Sequence, residues 1–352
     1  MQQEHKHNRA QVTLDDIAER VGMSRTTVSR ALGGHSDVSD RTRQRIEKAA
    51  RELGYRPHTV ARRLATGRSF TICAITGKLP FIRDALFIEV LDVLRRQLTS
   101  AGYDLIMGSR DPGVSGVGDA ISLIRQQQVD GVVLLETDIE DPLLSRIVEM
   151  ETPLVLFGRS PEHPELPYVD TDGLAAISTV VEYLARLGHK RIGYIGGPPW
   201  AVCAVQRLKG YLKACRSYGV SSDGLYIEMD HSGLAEGYSA AYALLNRTQT
   251  VPTALICYSD AMAFGAMRAA YELGLRVPDD LSVVGFDNVA LDDFTIPKLT
   301  SVAQRTRDIG EHLARLILSE VEGEPTNPAQ VLLGTELVVR ESSKPPQAQG
   351  AP

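Results

Sequence analysis

The sequence predicts a small all-α module followed by a large α/β body of two parallel-sheet subdomains. Three observations carry that expectation. Charge is split along the chain: residues 1–68 hold 14 Lys and Arg against 8 Asp and Glu, and the remainder holds 24 against 36. Apolar residues of the first segment recur at helical spacing behind capping residues. From residue 70, short apolar runs alternate with amphipathic helical stretches. A length of 352 residues is enough for two or three domains and a large core.

The first helix is read from "TLDDIAERVG". Thr13 stands at the N-cap with Asp16 three residues on, a capping-box pattern. Leu14, Ile17, Ala18 and Val21 share one face, and Gly22 ends the helix in a sharp turn. Ser24 caps a second helix whose inner face is Val28, Ala31 and Leu32. "SDRTRQRIEKAARELGY" gives a third, with Ile46, Ala49, Ala50 and Leu53 inward and Gly54 at its end. Two helices across a tight glycine turn, braced by a third, make a helix-turn-helix. With that inner face fixed, Arg25, Thr26 and Arg30 point outward near the front of the second helix. A helix of this width fits the DNA major groove, where arginine reads O6 and N7 of guanine through two hydrogen bonds. Ser24, Thr27 and Ser29 are short donors suited to phosphates, which set register rather than sequence. The positive balance fits a polyanionic partner; charge alone leaves a solvated face equally open.

Pro57 closes the third helix's influence. "HTVARRLATG" then holds helix formers for only about two turns before Gly67, too few for a stable helix alone in water. The body follows in order. "TICAIT" precedes a helix near 84–101, "YDLIMG" one near 116–128, and "GVVLL" one near 141–150; "PLVLFG" closes that half. A helix near 173–187 leads to "RIGYIG", a helix near 204–219, "LYIEM" and a helix near 234–246. "ALICY", a helix near 260–273 and "LSVVGF" complete the second half. Nearly continuous apolar strands between helices imply parallel sheets covered on both faces. About 270 residues of such pattern exceed one sheet, hence two similar subdomains. A helix over 304–320 and a strand "QVLLGTELVV" return across the joint, and the Ser-, Pro- and Gln-rich end reads as a disordered tail. The domain reading is therefore 1–56, a hinge and linker over 57–69, a body over 70–340, and a tail over 341–352.

Several function classes are set aside. Cys73, Cys203, Cys215 and Cys257 form no C-x-x-C and sit among apolar neighbours, as reduced cytoplasmic thiols do. "MQQEHKHNRAQ" lacks the apolar core of a secretory signal, and no apolar run approaches the ~18 residues of a membrane span. There is no G-x-S-x-G, H-E-x-x-H or Walker sequence, and no G-x-G-x-x-G after a strand. The expectation is a chain that is not an enzyme and takes no cofactor and no metal; "HKH" at 5–7 reads as a solvated terminus.

"VTLDDIAERVGMSRTTVSRALGG" with "RTRQRIEKAARELGYRPHTVARRLATGRS" resembles the N-terminus of the LacI/GalR family of bacterial transcription regulators. "LARLGHKRIGYIGGP", "SDAMAFGAMRAAYELGLRVPDDLSVVGFDN" and "IPKLTSV" extend the resemblance over nearly the whole chain, and to the sugar-binding periplasmic proteins of the same fold. The resemblance implies an all-α helix-turn-helix DNA-binding domain plus hinge helix, then a periplasmic-binding-protein-like body. It places Arg25, Thr26 and Arg30 at the family's base-reading positions. It implies a homodimer on a near-palindromic operator, with paired hinge helices in the minor groove. Leu64 would hold the wedging leucine's position, and Ala61 is small enough for close approach. The implied function is a cytoplasmic regulator, a repressor of carbohydrate-utilisation genes controlled by a sugar-like effector between the subdomains. A purine-like or other metabolite as co-repressor, and a solute-binding protein without regulation, stay open; no membrane partner is implied.

Ligands of open parallel sheets bind beyond the carboxyl ends of the strands. Asp287 directly follows "SVVGF", where a carboxylate accepts two adjacent hydroxyls or caps the next turn; the resemblance matches it to the family's ligand-binding aspartate. Arg207, in "RLKG", matches the family's ligand-contacting arginine, an internal ion pair being the alternative. Trp200, the single tryptophan, follows "GGPP" and either stacks on a sugar ring or fills core. Arg159 and Asp172 also follow strands, and Phe81, with Arg83 and Asp84, follows the first strand, where the family lines its pocket. Ser259, before Asp260, stands where many relatives carry Asn.

Overall fold

The computed structural model describes residues 12–32, 37–53, 66–76, 85–110, 118–246, 251–324 and 327–347. The chain divides into two compact units, Met1–Ser69 and Phe70–Pro352. Ala61 and Leu64 of the expected hinge helix, and Phe81, Arg83 and Asp84, lie outside the described residues.

The first unit holds α1 (Leu14–Val21), α2 (Arg25–Leu32) and α3 (Asp40–Leu53). The capping box forms: Thr13 N donates to Asp16 Oδ2 at 2.7 Å, and Asp16 N donates to the Thr13 hydroxyl at 3.4 Å. Thr13 N, and then the Thr13 hydroxyl, which donates to the same Asp16 Oδ2 at 2.8 Å, hold the Asp16 carboxyl below the usual range. Gly22 has a φ of 66°, a left-handed conformation that glycine adopts without strain, and turns the chain into α2. Ile17, Val28 and Ile46, one from each helix, are fully buried in a shared core. Arg45 of α3 donates to Val21 O at 2.9 Å, satisfying a carbonyl that the end of α1 leaves open.

The second unit contains two sheets. The first is built from β1 (Thr71–Thr76), β2 (Asp104–Ser109), β3 (Gly118–Asp119), β4 (Gly131–Leu134), β5 (Leu154–Phe157), β6 (Tyr168–Thr171) and β12 (Gln330–Leu333). Its order is β12-β6-β5-β4-β1-β2-β3, with every pair parallel. With it go α4 (Ala85–Ser100), α5 (Ala120–Arg125), α6 (Pro142–Glu149) and α11 (Thr306–Glu322). The second sheet is built from β7 (Ile192–Gly196), β8 (Tyr226–Glu228), β9 (Ala254–Cys257), β10 (Ser282–Asp287), β11 (Thr300–Ala303) and β13 (Glu336–Val338). Its order is β13-β11-β10-β9-β7-β8. Its helices are α7 (Gly173–Arg186), α8 (Val202–Tyr218), α9 (Leu234–Leu245) and α10 (Asp260–Glu272). No helix among the described residues is long and apolar enough to cross a membrane.

The inner strands are buried throughout, as parallel strands covered on both faces are. The chain passes between the halves after β6, after β11, and between β12 and β13. Three expectations are corrected. "QVLLGTELVV" is not one strand: β12 joins the first sheet beside β6, and β13 joins the second, antiparallel to β11. The helix expected near 116–128 shrinks to α5, because Asp119 ends β3 and caps the helix by accepting from Ile121 N at 3.3 Å. Residues 341–347 of the disordered tail expected over 341–352 are ordered. Ser342 is fully buried; its hydroxyl donates to Val283 O at 2.6 Å and accepts from Thr300 N at 2.8 Å. Ser343 bonds the hydroxyls of Tyr183 and Thr300, each at 2.9 Å. A polar composition read as disorder is here the polar complement of a sheet end.

Candidate functional site

The first unit presents its polar face through α2. Arg25, Thr26, Ser29 and Arg30 are exposed, opposite buried Val28 and Ala31. Ser24 and Thr27 are partly committed: Thr27 N donates to the Ser24 hydroxyl at 3.1 Å, and the two hydroxyls lie 2.8 Å apart. Both arginines pair within their own domain, Arg25 with Asp15 at 3.5 Å and Arg30 with Asp37 at 2.7 Å. Exposed pairs of this kind contribute at most about 1 kcal/mol, so a phosphate or a guanine edge can displace them.

The second unit carries a cleft at the carboxyl ends of both sheets. From the first half come Glu136 and Thr137 after β4, Phe157 and Gly158 at the end of β5, and Asp170 and Thr171 at the end of β6. Leu86 and Phe87, in the first turn of α4, add an apolar wall, where Phe87 meets Phe157 edge to face at 6.0 Å. The second half supplies Cys203 and Arg207 on α8, Tyr258 after β9, Asp287 at the end of β10, and Gln304 after β11.

Hydrogen bonds tie the two walls. Thr171 Oγ1 donates to Gln304 Oε1 at 2.9 Å, and Gln304 Nε2 donates to Asp287 Oδ1 at 2.7 Å. Backbone joins them too, with Ile139 N donating to Trp200 O at 2.8 Å and Val202 N to Thr137 O at 3.1 Å. Arg207 is buried beneath the cleft floor. Its guanidinium lies 3.5 Å from the Phe286 ring centroid and 4.5 Å from that of Tyr258, and Nη1 donates to Tyr258 O at 2.6 Å. Its buried Nε has no acceptor in the protein. A buried donor without a partner is costly.

Arg159 Nε donates to Asp170 Oδ2 at 2.6 Å, and the same guanidinium reaches Gln206 across the cleft. Burial pushes the Asp170 carboxyl up, and Arg159 opposes it. Burial also raises the Cys203 thiol, whose sulfur lies 3.1 Å from the Tyr258 hydroxyl.

Of the residues singled out in the sequence, Arg207 and Asp287 meet in this cleft. Arg159 does not line it but is held by Asp170, which does. Asp172 caps α7 instead, accepting from Ala175 N at 2.9 Å. Trp200 packs on the core of the second half. Ser259 caps α10, accepting from Met262 N at 3.3 Å. Glu136, Thr137, Phe157 and Tyr258 escaped notice although each follows or ends a recognised strand, so the strand-end rule applied to every strand finds them. Asp170 and Gln304 follow from β6 and β11, whose sequences "YVDT" and "TSVA" lack an apolar run to mark them.

The model for bacterial regulatory proteins of the lacI family matches residues 13–58, and that for the periplasmic binding protein-like domain matches residues 181–343. The HTH-type transcriptional repressor CytR of Escherichia coli K12 is 36% identical over 341 residues, covering 96% of this chain and 98% of that one. The HTH-type transcriptional regulator CelR of Thermobifida fusca is 33% identical over 340 residues, covering 95% and 99%. Among solved structures, a CelR–cellobiose complex is similar with a TM-score of 0.71 and 31% identity, covering 95% of this chain and 100% of that one. The lac repressor dimer bound to operator and the anti-inducer ONPF is similar with a TM-score of 0.78 and 28% identity, covering 95% and 99%. A polar-faced helix-turn-helix, a two-sheet body with its cleft at the strand ends, and relatives matched from end to end identify the chain as a member of the LacI family of bacterial regulatory proteins.

Proposed function

We propose that this protein is a cytoplasmic, homodimeric repressor that binds a near-palindromic operator and is controlled by a sugar-like effector in the cleft. The carrying observation is that one chain combines an α2 face of exposed Arg25, Thr26 and Arg30 with a cleft lined by both Asp287 and Arg207. Carboxylate and guanidinium together suit vicinal hydroxyls, and the aromatic wall suits the apolar face of a sugar ring. With Asp170 paired to Arg159, Glu136 and Asp287 still outnumber Arg207 in the lining, which favours a neutral sugar over a phosphorylated one. The reading is of a binding site rather than a catalytic one: burial keeps the Cys203 thiol away from its reactive thiolate. Phe87, Phe157 and Tyr258 in the lining support a second reading, a purine-like metabolite. Thermal shift against a panel of neutral sugars, sugar phosphates and purines separates these. A neutral sugar is expected to raise Tm, and the same shift is expected after removal of residues 1–69, which abolishes operator binding.

An apolar patch supports the dimer reading. Phe294 is 80% exposed and Ile296 97%, beside a groove lined by Met267, Tyr271 and Pro297. Isolated exposed apolar residues are ordinary, whereas a cluster marks an association surface. Ile296→Asp is expected to yield monomers in sedimentation. Operator affinity is then expected to fall roughly 100-fold or more, since the two half-sites lose their linkage.

A further inference from the structure

Two carboxyl groups meet in the interior behind Asp287. Asp260 opens α10, and Asp292 lies in the 3-10 turn Ala290–Phe294; they are 1% and 0% exposed. Asp260 is well supplied with donors: Oδ1 accepts from the Ser301 hydroxyl at 2.6 Å and Oδ2 from Val289 N at 3.0 Å. Gly285 of β10 permits that approach, since a Cβ there would collide with Asp260 Oδ1. Asp292 is different. Neither of its oxygens has an N–H or hydroxyl donor, and the side chain it meets is the Asp260 carboxyl.

The other charged groups acting on the pair are Arg340 and Asp293, with the Cys257 thiol of β9 near Asp260. Arg340 Nη1 stands 3.8 Å from Asp292 Oδ2, beyond hydrogen-bond reach. Its guanidinium is engaged elsewhere, with Asp293 at 3.0 Å and Leu299 O at 2.9 Å. Two adjacent buried carboxylates repel, the one cation beside Asp292 hydrogen-bonds neither of them, and a single proton between them removes the conflict.

The same groups build the turn after β10. Asp287 and Asn288 have φ of 119° and 56°, positive values at non-glycine residues that persist only where the surroundings enforce them. The enforcing bonds are Asn288 N to the Ser301 hydroxyl at 3.1 Å and Val289 N to Asp260. We propose that Asp260 and Asp292 are positioning residues for the effector cleft, sharing one proton that maintains the left-handed turn presenting Asp287. Loss of that proton sets two negative charges against each other in the core, loosens the turn and weakens effector binding as pH rises. Burial, the leading cause for both, holds the two carboxyls above their usual range. A carboxyl raised on folding stabilises the native state at low pH and loses that contribution as pH rises through its folded value. The link to the effector rests on Asp287 as its ligand; the test below does not.

Hydrogen exchange of the full chain, read on peptides spanning residues 286–292 and corrected for intrinsic rates, from about pH 6 to about pH 9, tests the idea. Protection at Asn288 and Val289 is expected to fall by up to about tenfold per pH unit, the limit for one linked proton, while β4 stays unchanged. In Asp292→Asn, whose amide carries a permanent N–H donor, protection is expected to be independent of pH. A flat profile in the native protein overturns the proposal, whether or not the variant folds, and so does the same fall in Asp292→Asn.

Discussion

Asp287→Ala is expected to abolish the effector response and leave operator binding intact. Asp287 ends β10, is 7% exposed and lines the cleft, with Oδ1 accepting from Gln304. Hydrogen bonds from ligand hydroxyls to a carboxylate contribute roughly 1.5–3 kcal/mol each. Losing two of them weakens binding by at least roughly 100-fold. That exceeds the coupling of about 1–3 kcal/mol by which an effector usefully shifts a regulator. Asp287→Asn sharpens the result. Asparagine still accepts from Gln304 Nε2, so the turn and the Thr171–Gln304 link across the cleft persist while the charge is gone. A response lost in both variants, with operator affinity and Tm near native, assigns the carboxylate to the ligand. A native response in Asp287→Ala would remove Asp287 from the site, and with it the proposed effector chemistry.

The legible parts of this fold were those whose signal is local. The caps at Thr13 and Ser24, the αL turn at Gly22 and the inward faces of three helices need no long-range information. The strands β1, β4, β5, β7, β9 and β10 announce themselves as apolar runs because both of their faces are covered. What the sequence hid depends on chain crossings. β6, β11, β12 and β13 are three or four residues long and flank the passages between halves, and β6 carries the polar Asp170 and Thr171 because its end opens into the cleft. The same physics hid part of the site. Gln304 is separated from Thr171 by 133 residues, and only the tertiary structure makes them a bonded pair. Trp200 shows the converse: a strand-end aromatic suited to stacking serves the core, and its main chain, not its ring, joins the two walls.

Arg30→Ala is expected to remove sequence discrimination while leaving most non-specific DNA affinity. Arg30 projects from α2 beside buried Val28 and Ala31, so its direction is fixed by the core of the domain. A bidentate arginine–guanine contact contributes about 1–3 kcal/mol of discrimination, a factor of roughly 5 to 150 between operator and random duplex. Without DNA the guanidinium rests 2.7 Å from Asp37, and both side chains are about half exposed. Releasing that pair costs little in water, yet it keeps the guanidinium oriented until a base edge replaces the carboxylate. Non-specific binding instead depends on how many cations reach phosphates, so removing one changes the salt slope by about one unit at most. Operator and random-duplex titrations over a range of salt separate the two contributions. Equal losses on both duplexes would make Arg30 a phosphate contact, and the reading of sequence would then pass to Arg25 and Thr26.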